Sequence, residues 1–462
     1  MKFSAILAAI ALLVFAGSAS ASQTINITGS TAFRTASIRA VIKLYQTGTG
    51  TLTDMAHTGT TNSSTGHEGA GDAIFKGTLD TATFTGCTGT TTIRCSWSGS
   101  VEGLNAVKNS VSENYLTEAA FTDAGGTAYT PVNGSGTTIA GVNAKYNSGT
   151  AFAQVGSTTS DLALSDVYQT TVGFSGLTDT ICGVIPFFAM INNGAPTAYN
   201  NVTAQKFGQL ADAGFLTANY VFPTTDTTPI YLTGRNDGSG TRSTYLAISR
   251  GGLLSGTGRN QVERGDVYSL INQWRPTAPS GGAIATIQRW PTGDGANAST
   301  VLGNPDTAGN GGFSSGGNVQ SRLVGTTASV QRLNANGTVI AGGNIALNFI
   351  GVVGLADAEV SFNGGARVLN WDGVGVTIPA AASQGAATAM ADSENQKFYL
   401  GSYTLWGYEH IFDNGATGCV LKVRQQLATN IPSFLAGAGL DVSLMKVHRD
   451  LDGADIIAGA LP

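Results

Sequence analysis

Charge is scarce in this chain of 462 residues, where Asp, Glu, Lys and Arg together make up 11%. With a formal net charge of −5, it lacks the basic stripe that nucleic acid or an anionic membrane needs as a partner. Cysteine and histidine number four each, and neither the cysteines nor His57, His67, His410 and His448 stand at metal-ligand spacing. No metal and no cofactor is expected. An H-E-x-x-H helix is also missing, which argues against a secreted hydrolase of the zinc type. Beyond the N-terminus no apolar run is long enough to cross a bilayer. No period of about 20–50 residues recurs, which excludes solenoids and propellers.

Glycine is abundant instead, at 63 residues, together with Thr and Ser. An apolar content of 42% is enough for a packed core, so this composition reads as loop-rich surface rather than disorder. Met1-Lys2-Phe3, the apolar stretch Ala5 to Ala16 and Ala19-Ser20-Ala21 form a secretory signal pattern. The mature chain is expected to begin at Ser22 and to be periplasmic or secreted. A membrane anchor fits less well, because the run is short. Cleavage leaves 23 basic against 29 acidic residues, a net charge of −6. Four cysteines in an exported chain predict two disulfides. Cys87 and Cys95 are close enough to close a small loop, which leaves Cys182 and Cys419 to pair or to stay reduced.

One stretch organises the rest. Ile230-Tyr231-Leu232 reads as a strand, Gly234-Arg235-Asn236-Asp237-Gly238-Ser239-Gly240-Thr241 as a tight turn, and Tyr245, Leu246 and Ile248 as a helix ended by Gly251-Gly252. Such a turn presents unpaired N–H groups at the positive end of a helix dipole. Ser239 and Thr241 add hydroxyls, Gly240 allows close backbone approach, and Arg235 offers a planar fork for an oxyanion. Two further Gly/Ser/Thr turns open helices. The first, Gly29-Ser30-Thr31, follows the strand Thr24 to Thr28 and precedes a helical pattern through Phe33, Ile38, Val41, Ile42 and Tyr45. The other is Gly99-Ser100, leading into Glu102 to Val107. A strand from Asp161 ends in Ser165-Asp166, and Gly183 to Ile191 is a continuous apolar run typical of a buried strand.

Residues 47–92, 125–158 and 279–318 are poor in apolar anchors and read as elaborated surface segments. Gly311 to Gly317 leads into a helix at Val319 to Val324, and Ala204 to Gly214 forms a short amphipathic helix capped by Gly214. Asp450-Leu451-Asp452-Gly453-Ala454-Asp455 lacks full EF-hand spacing and reads as a solvated turn.

The Arg-x-Asp-Gly-Ser-Gly-Thr stretch resembles the signature of the periplasmic phosphate-binding proteins of ABC transporters. The Gly29 turn, the Ser100 turn and the Ser165-Asp166 strand end resemble that family's other anion-contacting segments, in the same order. Arg34 stands where the family commonly has Pro, and Glu102 where it often has Gly. The resemblance implies an α/β, two-lobed periplasmic-binding-protein (type II) fold, with mixed sheets flanked by helices and a ligand cleft between lobes. It implies a first lobe at 22–180, a second at 181–395 and a return at 396–462. In that family the 183–191 run crosses between lobes, 345–354 is a late second-lobe strand, 403–409 leads back, and a helix at 420–435 packs on the first lobe. The implied ligand is inorganic phosphate, held by Ser30, Thr31, Ser100, Asp166, Arg235, Ser239, Gly240 and Thr241, with an ABC permease as the implied partner. Asp166, as an acceptor, would favour an anion that keeps a proton over sulfate, which has none.

Overall fold

A computed structural model of the chain describes residues 22–59, 65–147, 155–249, 271–290 and 311–461. The signal pattern at 1–21 and the Gly251-Gly252 helix stop lie outside the described residues.

The fold is α/β, with a mixed sheet flanked by helices. Its strands are β1 (Gln23–Gly29), β2 (Thr51–His57), β3 (Asp72–Thr78), β4 (Thr90–Ser96), β5 (Thr127–Ala128), β6 (Asn143–Tyr146) and β7 (Leu162–Ser165). They continue as β8 (Thr178–Ile191), β9 (Phe215–Thr217), β10 (Pro229–Leu232), β11 (Asn348–Gly354), β12 (Arg367–Val368) and β13 (Trp406–Asp413). Among the described residues the spatial order is β9-β10-β11-β8-β13-β7-β1-β4-β3-β2-β6-β5, with β12 also on β8.

The long strand β8 joins the two halves of the sheet. Its first part pairs with β13, from Thr178–Asp413 to Pro186–Trp406, and its last part with β11, from Phe187–Gly354 to Ile191–Ile350. Every side chain from Gly183 to Ile191 is buried, as expected for a strand covered on both faces. Strand β1 is likewise buried from Ile25 onward, and it runs parallel to both β4 and β7 inside the sheet.

Three helices start at the ends of these strands: α1 (Arg34–Tyr45) after β1, α2 (Ser100–Asn109) after β4 and, after β10, one that is preceded by α3 (Ala204–Ala213). That helix is α4 (Gly240–Ser249). Thr203 caps α3 by accepting from Lys206 N at 3.2 Å, and Gly214 ends it at φ +80° with its N–H on Leu210 O, as the sequence predicts. Helix α5 (Gly316–Leu323) begins three residues earlier than its apolar pattern, at the Ser315 cap. The second half also carries α6 (Leu355–Asn363) directly after β11. Helix α7 (Gly418–Asn430) packs against α1 and gives way at Ile431 to a short 3-10 turn.

Several expectations are corrected. Residues 47–92 are not surface elaboration: β2, β3 and the start of β4 extend the main sheet. Each carries only a few apolar side chains, such as Met55 and Ala56, Ile74 and Phe75, and Ile93, among polar residues that include Thr51, Thr53, Thr78, Thr90, Thr91 and Thr92. Threonine is a good strand former, so this Thr-rich stretch suits a pleated sheet. Likewise β5 and β6, within 125–158, form the edge of that sheet.

The disulfide joins Cys87 to Cys419, across 332 residues of sequence, and Cys95 and Cys182 are free and buried. Cys95 lies five residues into β4 with its side chain in the core, roughly 16 Å of strand from the loop that holds Cys87. That loop instead meets the first residues of α7. Finally, Asp452 is not in a solvated turn. It is 3% exposed and accepts from Tyr168 N at 2.8 Å and Thr171 Oγ1 at 2.7 Å, pinning the C-terminal segment beneath β7.

Candidate functional site

The three turns and the Asp166 strand end meet at one place. Ser30 N donates to Leu164 O at 2.8 Å, and Gly99 N donates to Gly29 O at 2.9 Å. Gly99 holds φ +118°, a conformation that L side chains rarely adopt, and an added Cβ would lie 2.5 Å from Gly238 O. The turn of the second half closes against the first through Val101 N, which donates to Gly238 O at 3.0 Å.

Asp166 stands at the centre, 1% exposed. Its carboxylate accepts from the Ser100 hydroxyl and, at 3.0 Å, from Thr241 Oγ1. Its backbone carbonyl accepts from Thr244 Oγ1 at 3.1 Å. Gly240 opens α4 directly beneath it, where an added Cβ would lie 1.7 Å from Asp166 Oδ1. Glycine is required there by contact alone. Burial pushes the Asp166 carboxyl above its ordinary range, while the Ser100 hydroxyl, the Arg235 charge and the Thr241 hydroxyl pull it back.

Arg235, 2% exposed, reaches from the second half into the first. Its Nη1 donates to Thr31 Oγ1 at 3.0 Å, its Nε to Phe313 O at 3.2 Å and its Nη2 to Ser314 O at 2.9 Å. Burial lowers its pKa to about 10, against the raising influence of Asp166 and then Asp357, so it stays charged at neutral pH. The Gly311 to Gly317 stretch thus has a specific place: it runs beside the Arg235 turn, with Asn236 N on Phe313 O at 2.9 Å.

Of the residues expected at the site, Thr31, Ser100, Asp166, Arg235, Gly240 and Thr241 are brought together by these contacts. Ser239 is buried, and its hydroxyl accepts from Arg242 N at 3.3 Å, which makes it a cap of α4. The buried Ser30 hydroxyl turns to the side, toward Glu409. Arg34 does not join the Asp166 cluster. Its Nη2 donates to Gln384 Oε1 at 2.7 Å, and Gln384 in turn donates to Asp357 on α6. This relay is a second polar bridge between the halves.

Two acids escaped sequence reasoning. Asp357 lies against the first turn of α5, where a Cβ on Gly316 would meet its Oδ2 at 2.1 Å. Glu409 is a fully buried carboxyl in β13. Its signal was legible in principle: a lone acid in the apolar stretch Trp406-Gly407-Tyr408-Glu409-His410-Ile411-Phe412. Among the described residues no group of three or more His, Cys, Asp or Glu could hold a metal, and no helix is long and apolar enough to cross a membrane.

No family model matches the chain, and no curated protein matches it. Solved structures overlap it loosely. An ABC-type phosphate transport receptor from Vibrio cholerae shares 9% identity, covering 89% of this chain and 98% of its own, at a TM-score of 0.39. A high-affinity periplasmic phosphate-binding protein solved with phosphate shares 14%, covering 91% and 90%, also at 0.39. A hydrogen-peroxide-bound OxyR variant from Corynebacterium glutamicum shares 9%, covering 94% and 71%, at 0.34. Overlap this loose assigns no ligand to this chain.

Proposed function

We propose that this protein is an extracytoplasmic receptor that binds an oxyanion, inorganic phosphate foremost, between lobes formed by 22–180 with 396–462 and by 181–395. The observation that carries this reading is the convergence of one acceptor and several donors, buried together, from segments far apart in sequence. Asp166 stands among Ser100, Thr241 and Arg235, and Arg235 is bonded to Thr31. An entering anion would draw on these donors, and its own O–H would return one hydrogen bond to Asp166. Inorganic phosphate near neutrality keeps an O–H to give to Asp166, because its last proton leaves only in strongly alkaline solution. Sulfate sets a lone pair against the carboxylate instead. Bridging donors from both lobes would stabilise the closed form, the form a permease would recognise. No catalytic step is part of this reading.

A second reading, a binding-protein scaffold in a surface or assembly role, is favoured by one contact. Val101 N, a helix N-terminal donor of α2, is spent on Gly238 O, so protein fills part of the anion's place.

Asp166→Asn separates the two. On the receptor reading it lowers the preference for phosphate over sulfate by about tenfold or more, the loss of one hydrogen bond to a charged group. An unchanged preference in competition titrations removes Asp166 from the ligand.

A further inference from the structure

Glu409 lies outside the Asp166–Arg235 cluster, yet it is buried deeper than either of those residues. Neither of its carboxylate oxygens has a hydrogen-bond partner among the described residues. Its surroundings explain why this is unfavourable for a charge. Strands β13 and β7 are antiparallel, their pairing ending at His410 opposite Ser165, so Glu409 and Asp166 are the residues that follow that last pair, and the Asp166 charge acts on Glu409. Like charges this near repel, and burial strengthens the repulsion. On its other flank lies β8, whose Cys182 thiol donates to the Glu409 carbonyl at 3.4 Å. Asp452 lies close enough to Asp166 to interact with it, and Arg235 acts on Asp166 from the far side. The Ser30 hydroxyl is the group beside Glu409 that favours ionisation.

The two carboxyls are therefore unequal. Asp166 has two hydroxyl donors and a guanidinium to support a negative charge, whereas the Glu409 oxygens have no hydrogen-bond partner among the described residues and only the Ser30 hydroxyl nearby. When two such groups share a site, one proton stays with the pair and goes to the member with the poorer support.

We propose that Glu409 is a positioning residue, a neutral carboxylic acid whose retained proton leaves Asp166 as the single ionised acceptor of the anion site. Its consequence for binding rests on the oxyanion reading, but its protonation state does not. With Glu409 neutral, Arg235 and Asp166 balance, and an anion enters a site without excess negative charge. Ionisation of Glu409 adds a second buried negative charge beside Asp166 and expels the anion. Capture of phosphate is in this way coupled to retention of a proton, and it weakens in alkaline solution.

The test compares the exported chain with its Glu409→Gln variant, which keeps the shape of the neutral acid. The first measurement is unfolding in urea across pH, without ligand. A carboxyl protonated in the fold but ionised when unfolded makes stability fall as pH rises above its ordinary range, near 4.3. The folding constant of the wild type should thus fall relative to Glu409→Gln by about tenfold per pH unit. Parallel profiles overturn the proposal. Should Glu409→Gln not fold, Asp166→Asn carries the test: with the opposing charge gone, the alkaline decline must end at lower pH, and superimposed alkaline limbs overturn it. The second measurement is phosphate titration over the same pH range. Wild-type affinity should fall in the alkaline range while that of Glu409→Gln stays level. A stability difference without phosphate binding retains the protonation of Glu409 and rejects the receptor reading. Phosphate binding with parallel stability profiles does the reverse.

Discussion

Arg235 is the residue on which the two halves of the molecule depend most directly. Its fork is spent on Thr31, Phe313 and Ser314, and its charge supports Asp166. Arg235→Ala takes a donor from Thr31, Phe313 and Ser314, of which Phe313 O keeps Asn236 N, and leaves Asp166 without its nearby cation. Phosphate affinity should weaken by more than about 2 kcal/mol, and a loss of a few tenths in calorimetry would place Arg235 outside the site. Gly240→Ala tests contact rather than charge. A methyl group 1.7 Å from Asp166 Oδ1 must displace either the carboxylate or α4. A destabilisation of about 1–3 kcal/mol is expected in urea melts, and a neutral substitution would show that α4 does not bear on Asp166. Much at this scale was legible in the sequence. Glycine-rich turns next to strand ends mark where backbone must approach closely, and this flagged Gly240 and Asp166. Glu409 was not, because one acid in an apolar strand says nothing of which acid it will face.

Among the elements, the loop after β3 and the helix α7 are joined by the Cys87–Cys419 disulfide. A cross-link that closes so long a loop restricts the unfolded chain strongly, and reduction should cost about 2–5 kcal/mol. Thermal melts with and without reductant check this; unchanged melting would mean the link is not formed. The pairing was out of reach of the sequence, since spacing along the chain is blind to which helix a loop touches.

A second test at this scale concerns β2 and the short 3-10 turn at Gly66–Gly69. His57 and His67 are buried there against Tyr129, and burial lowers their pKa values to about 4 and about 3. Both stay neutral in the fold while an unfolded histidine takes a proton below about 6.5. Their contribution is thus complete above that pH and is lost as pH falls toward the folded values. The double variant His57→Gln/His67→Gln should lose this acid limb relative to the wild type between pH of about 6.5 and 4, by up to about 1.4 kcal/mol per pH unit for each group. Identical acid profiles would refute it.

Taken whole, the molecule places a buried polar cluster where β8 and the strand-end turns bring two halves of one sheet together. The strand–turn–helix units at Gly29, Gly99 and Gly238 were legible because local chemistry dictates them. The extent of the sheet was not, because β2, β3 and β4 draw their stability from neighbours rather than from their own apolar content. Asp452 was misjudged for the same reason, since its partners Tyr168 and Thr171 lie nearly 300 residues away in sequence.

The most direct measurement is calorimetric titration of residues 22–462, stripped of carried ligand, with phosphate and with sulfate at neutral pH. The account predicts saturable phosphate binding that Asp166→Asn and Arg235→Ala weaken, with no response to sulfate. Binding of neither anion would contradict it and leave the closed Asp166–Arg235 cluster as a structural clasp.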